Sequence, residues 1–85
     1  MAADPLPAAD VYDLKGLKCP LPVLRAKKRL SAMQPGARLW LETTDPLASL
    51  DIPAFCSDEG HLLIEHEIVE SGHRFLVERG LSKIV

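Results

Sequence analysis

The sequence predicts a two-layer α/β sandwich: a four-stranded mixed sheet with two helices on one face, in the order β-α-β-α-β-β. Three observations predict it. Two stretches follow short apolar strands, open on a proline and then carry apolar residues at helical spacing. Residues 38–43 alternate apolar and polar side chains with period two. Two strand-like runs near the C-terminus flank Ser71-Gly72, a two-residue hairpin signal. A chain of 85 residues makes one domain with a modest core, too small for a large enclosed pocket.

Residues 1–10, with Pro5 and Pro7, read as a tail preceding a single domain over residues 11–80, and residues 81–85 as a second tail. Val11 to Leu14 is the first strand, and Lys15-Gly16-Leu17-Lys18 the loop after it. Cys19 falls at the N-cap of the first helix. Pro20 pushes it out of helical dihedrals, and Pro20 itself suits the first helical position, where a missing N–H costs nothing. The helix is expected to run to about Met33. Val23, Ala26, Leu30 and Met33 form its apolar face, with Arg25, Lys28 and Arg29 on the other side. Gln34-Pro35-Gly36 stops it.

Arg38 to Thr43 is the second strand, with Leu39, Leu41 and Thr43 toward the core. Trp40 then points to the far side of the sheet, either lying over neighbouring side chains or forming part of a partner surface. Asp45 as N-cap and Pro46 as first residue begin the second helix. Leu47, Leu50, Ala54 and Phe55 can supply its apolar side, and Asp51-Ile52-Pro53 is expected to kink or restart it before the stop at Gly60. The last strands are His61 to Glu70, with Leu62, Ile64 and Ile68 in one parity, and His73 to Arg79, with Phe75 and Val77 in one parity. The first crossover makes strands one and two parallel and is expected to be right-handed.

Composition narrows the function classes. No run of 18 apolar residues spans a membrane, and the first residues have neither the basic start nor the apolar stretch of a signal peptide, so a cytoplasmic location is expected. The net charge of −2 is uneven: residues 1–35 hold six basic groups against three acids, residues 36–85 four against nine. The basic excess surrounds Cys19. It reads as a solvated helix face or as a docking surface for an acidic partner. Stable nucleic-acid binding is not expected, because the chain is acidic overall and no aromatic is interleaved with the basic run. The three histidines (His61, His66, His73) lack zinc spacing, and no metal or other cofactor is expected.

The chemistry concentrates at Gly16-Leu17-Lys18-Cys19-Pro20-Leu21-Pro22. Both helices begin where parallel strands end, so Cys19 and Asp45 are expected at one edge of the sheet, where open α/β folds tend to place ligands. Cys56 sits near the other end of the second helix, roughly 15 Å from Asp45 at 1.5 Å per residue, too far for a disulfide with Cys19. It reads as a small buried hydrophobe. A helix N-terminus and nearby cations lower a thiol's pKa, and Lys15 and Lys18 can add to that field. Pro22 has no N–H, however, leaving Leu21 to donate to the sulfur, so the lowering is expected to be modest. Asp45, if close and ionised, raises the thiol pKa instead; its other role is that of a helix cap. A rigid, presented thiol remains, with no base beside it in sequence.

These residues resemble the Cys-Pro-x-Pro signature of TusA/SirA-type sulfur carriers. Met33-Gln34-Pro35-Gly36, Asp45-Pro46 and Asp51-Ile52-Pro53-Ala54-Phe55-Cys56 extend the resemblance over residues 11–80, and the last segment looks most like TusA proper. The resemblance implies a sulfurtransferase that takes sulfur from a cysteine desulfurase as a transient Cys19 persulfide. A downstream relay protein of Tus or DsrE type would then receive it, with 2-thiolation of a tRNA wobble uridine as the best-known end. Related carriers serve molybdenum-cofactor enzymes or sulfur oxidation. By the same resemblance Cys19 is the acceptor, Pro20 and Pro22 fix the loop with Gly16, Leu21 occupies the variable position, and Asp45 is tied to partner recognition. Arg25 and Lys28 are candidates for docking the donor. A monomer is expected. The competing reading is a non-catalytic interaction or regulatory module that uses the same edge.

Overall fold

A computed structural model describes residues 9–81. The elements are β1 (Asp10–Asp13), α1 (Leu21–Ser31), β2 (Arg38–Thr43), α2 (Ala48–Glu59), β3 (Leu62–Val69) and β4 (Gly72–Glu78). The sheet runs β1-β2-β4-β3, with β1 parallel to β2 and the other neighbours antiparallel. Both helices lie on one face, giving the expected two-layer sandwich. Most of each expected tail, residues 1–8 and 82–85, lies outside the described residues.

The core forms where the alternation of β2 meets the helices. Leu39 and Leu41 are fully buried, opposite Val77 and Phe75 of β4, and Thr43 continues the same face. Ala26 and Leu30 of α1 and Ala48, Ile52, Phe55 and Cys56 of α2 close over them. Each buried Leu, Ile or Phe contributes about 1.5–3 kcal/mol.

Helix α1 begins one residue later than its prolines suggest. Pro20 is the cap rather than the first helical residue, and its carbonyl accepts the first helical N–H, that of Leu24, at 3.1 Å. At the other end the Arg79 side chain reaches from beyond β4 to the Leu30 carbonyl at 2.9 Å, satisfying one of the acceptors a helix end leaves open.

Helix α2 departs further from expectation. Asp45 does not cap it: Asp45-Pro46-Leu47 form a turn, and the helix starts at Ala48 with Leu47 as its cap. It runs unbroken through Pro53, with no restart. Proline there removes only the N–H that the Ser49 carbonyl would accept, and Ser49 lies in the first turn, partly open to solvent. The buried stripe is therefore Ala48, Ile52, Phe55 and Cys56, at spacings of four, three and one. Leu47 and Leu50, expected in the core, are 51% and 69% exposed, and Ala54 is exposed as well.

In β3 the ladder shifts register between Leu63 and Glu65. This bulge breaks the simple parity read from the sequence. Leu62 pairs with Glu78 on the open face, whereas Ile68 pairs with His73 on the helix face. The hairpin signal at Ser71-Gly72 is also explained differently. Gly72 is the first residue of β4, paired with Val69, and a side chain there would collide with the backbone of Thr43 and Thr44. Close packing of the hairpin end against the end of β2 requires glycine at this position.

Candidate functional site

The end of the sheet where β2 finishes gathers the loops after β1 and after β2, as the parallel pairing requires. Leu14 continues the ladder past β1, its N–H donating to the Glu42 carbonyl at 2.8 Å. The chain then turns at Gly16, whose φ of +86° other residues adopt only at a cost of about 1–2 kcal/mol. The Gly16 N–H donates to Thr44 Oγ1 at 2.9 Å, tying the loop to the end of β2. Lys18 to Leu21 then form a tight turn about a cis Cys19–Pro20 peptide bond, closed by the Leu21 N–H on the Lys18 carbonyl at 2.8 Å.

Cys19 is exposed on this turn and is a free thiol. Two carboxylates hold it. The Asp45 Oδ2 accepts the Cys19 main-chain N–H at 2.7 Å, and the Asp51 Oδ2 accepts the Cys19 Sγ–H at 3.1 Å. Asp51 lies in the first turn of α2, against the positive end of the helix dipole. The two acids thus grip the residue from separate segments, one by its backbone and one by its sulfur.

This geometry corrects the electrostatic expectation. The Cys19 thiol is shifted above the ordinary cysteine value, first by the Asp51 hydrogen bond, then by desolvation and the charges of Asp51 and Asp45. No cation is among the causes. Lys15 is committed elsewhere, to Glu42 at 3.0 Å and Asp13 at 3.2 Å. The Leu21 N–H expected at the sulfur is spent inside the turn on Lys18. Of the two neighbours, Asp45 was legible from the topology, although as a cap rather than as an acceptor for Cys19. Asp51 was missed: as part of Asp-Ile-Pro it read as a break in the helix, and an unbroken helix places it beside the thiol.

The surroundings of Cys19 are open and partly apolar. Leu21 and Leu24 of α1 are 41% and 54% exposed. With Arg25 and Lys28 they fall at positions i, i+3, i+4 and i+7, a single stripe starting beside the thiol. Both basic residues are exposed, and neither joins an ion pair among the described residues, whereas Lys27 pairs with Glu59 and Arg29 with Asp10. Leu47 and Leu50 add exposed apolar surface next to Asp51. Pro22 is buried and anchors the start of α1, and Pro20 is exposed.

The remaining candidates lie apart from this edge. Cys56 is buried in α2, and burial pushes its thiol up to about 11. His66 and His73 bond each other at 2.8 Å and stack on Phe75, while His61 accepts the Gly80 N–H at 3.0 Å. No cluster of three or more metal-ligating side chains occurs among the described residues. Trp40 lies on the open face of the sheet with the Arg74 guanidinium 4.0 Å from its ring centroid, covered by a neighbouring side chain. A concavity of about 240 Å³ between Lys15, Glu42, Thr43, Val69, His73 and Arg74 does not include Cys19. No helix among the described residues is long and apolar enough to cross a membrane.

Comparison with known proteins agrees with the geometry. Residues 10–79 match the family model described as "Sulfurtransferase TusA". Two proteins of Neisseria meningitidis, "Putative sulfur carrier protein NMA0882" from serogroup A and "Putative sulfur carrier protein NMB0681" from serogroup B, are each 49% identical over 57 residues. These matches cover 67% of this chain and 77% of each relative. An exposed thiol on a tight turn, in a β-α-β-α-β-β sandwich matched over nearly all its described length, places this chain in the TusA family of sulfur carriers.

Proposed function

We propose that Cys19 accepts sulfane sulfur from a cysteine desulfurase as a persulfide and relays it to a downstream protein of Tus or DsrE type, with tRNA wobble 2-thiouridine as the end product. One observation carries the reading: the thiol is exposed on a turn closed by the Leu21–Lys18 hydrogen bond and is not part of the concavity beside Lys15. A small-molecule enzyme needs a pocket around its nucleophile. A carrier needs a nucleophile that fits into the partner's pocket, and a fixed loop loses little freedom on entering it. The exposed stripe of Leu21, Leu24, Arg25 and Lys28 beside the thiol supports docking onto a protein with an apolar, acidic surface. The raised thiol adds that the free carrier is a slow nucleophile, so the partner must supply much of the activation.

Incubation with a cysteine desulfurase and cysteine is expected to add one sulfur mass to the Cys19 peptide. Cys19→Ser abolishes loading and Cys56→Ser leaves it intact. Loading that survives Cys19→Ser overturns the reading, and partner binding and phenotype that survive Cys19→Ala favour a non-catalytic interaction module. Proteins captured through a trapped Cys19 disulfide identify the acceptor: relay proteins of tRNA thiolation support the proposed end product, and enzymes of sulfur oxidation or molybdenum-cofactor maturation overturn it.

A further inference from the structure

The Cys19 sulfur donates to Asp51 Oδ2, while the Asp45 Oδ2 is occupied by the Cys19 main-chain N–H. No histidine or lysine of the described residues bonds the sulfur. Lys15 is held by Glu42 and Asp13, and the three histidines bond to each other or to Gly80. Asp51 is partly exposed, and its Oδ1 makes no hydrogen bond within the described residues. Among the described residues, Asp51 is therefore the one base hydrogen-bonded to the reacting atom. Its position is set twice over, by the first turn of α2 and by the Asp45 grip on the Cys19 backbone.

We infer that Asp51 is a catalytic residue of sulfur loading: it takes the proton from the Cys19 thiol as the sulfur attacks and passes it to the departing thiolate of the donor. This deepens the carrier reading and rests on it. The Cys19 sulfur attacks the outer sulfur of the donor persulfide. A sulfur–sulfur bond forms at Cys19 Sγ as the donor's own sulfur–sulfur bond breaks, its electron pair leaving on the donor sulfur. The thiol proton moves to Asp51 Oδ2 and then to that thiolate, which departs as a thiol. One sulfane sulfur and no net electrons change owner. A carboxylate is a weaker base than a thiolate, so at rest the proton stays on the sulfur, and transfer accompanies bond formation rather than preceding it. The charges bearing on the sulfur are Asp51 from α2 and Asp45 from the loop before it.

Asp51→Asn separates this role from simple electrostatics, because the two predict opposite changes in loading. Removing the charge lowers the barrier to ionisation, so alkylation of Cys19 by iodoacetamide at neutral pH is expected to speed up several-fold. Loading from a cysteine desulfurase plus cysteine is expected to slow by about a hundred-fold or more, the scale of a lost proton acceptor. Asp51→Glu, which keeps the base, is expected to recover part of the loading rate. Loading that stays unchanged in Asp51→Asn, or that rises together with alkylation, overturns the assignment. A wild-type chain that takes no sulfur on Cys19 overturns the carrier reading, and this assignment with it.

Discussion

The Asp45 carboxylate accepts the main-chain N–H of Cys19 at 2.7 Å, joining the loop after β2 to the turn before α1 across 26 residues of sequence. The bond supplies an acceptor for an N–H on an exposed turn. It also fixes the direction in which the thiol leaves the backbone, and hence its alignment with Asp51. Two acids near a nucleophilic sulfur disfavour its ionised form, so the arrangement serves position rather than ionisation.

Asp45→Ala is expected to loosen the Cys19 turn without unfolding the domain. A hydrogen bond to a charged acceptor at an exposed site contributes about 1 kcal/mol, equivalent to roughly 4–8 °C in Tm for a domain of this size. Loading of Cys19 is expected to fall several-fold, and hydrogen exchange of the Cys19 amide to speed up. Asp45→Asn retains an acceptor oxygen and is expected to lie between the two. Unaltered amide exchange in Asp45→Ala would show that the turn holds itself.

Stability is expected to be greatest in a window between the titrations of half-buried His61 and buried Cys56. His61 is pushed below its ordinary value by burial and by the Arg79 charge, against a smaller opposing effect of Glu59. Its contribution is present above the unfolded histidine value and is lost as pH falls through the folded one. Burial raises Cys56 to about 11, so its contribution is complete below the unfolded cysteine value and is lost as pH rises toward 11. Denaturant midpoints measured from pH 5 to 11 are expected to fall at both ends. Cys56→Ala is expected to be less stable at pH 7, by about 1–2 kcal/mol for a small truncation in the core, and to lose less further stability above pH 9 than the parent.

The sequence was most informative where local pattern and tertiary structure agree. Arg38 to Thr43 alternates cleanly because one face is buried under the helices and the other is open, and its boundaries coincide with β2. The order of elements followed from proline and glycine punctuation. That order alone places Cys19 and Asp45 at one edge. What was not legible depends on side chains meeting across the fold. Pro53 carries a strong local break signal, yet tertiary burial of Ile52 and Phe55 holds the helix through it. A break at Pro53 would put Leu47 and Leu50 inside; the unbroken helix exposes them and brings Asp51 to Cys19. The bulge between Leu63 and Glu65 reverses a parity that sequence alternation alone cannot correct. The sign of the Cys19 shift was missed for the same reason: a helix N-terminus and basic neighbours are visible in sequence, whereas a hydrogen bond from residue 19 to residue 51 is not.

Reversing charge at Arg25 and Lys28 tests the docking stripe. Both are exposed, outside any ion pair among the described residues, and on the helix face that begins at Leu21. Their removal therefore breaks no ion pair or side-chain hydrogen bond among the described residues. Arg25→Glu with Lys28→Glu is expected to leave Tm within a few degrees of the parent, since exposed substitutions away from partners usually change stability by about 0.5 kcal/mol or less. If the donor presents an acidic surface, the double variant is expected to load more slowly through its association rate, by about ten-fold or more at low salt. The difference shrinks as ionic strength rises and screening shortens the reach of the charges. Loading at saturating donor is expected to match the parent, because neither residue touches Cys19. A leucine variant reads the other half of the stripe: Leu24→Ser is expected to weaken donor binding with little change across the salt series, because the contact it removes is apolar. Loading rates measured for both variants at several salt concentrations check this. Equal salt dependence in the parent and the charge-reversed variant would assign docking to the leucines at positions 21, 24, 47 and 50 alone.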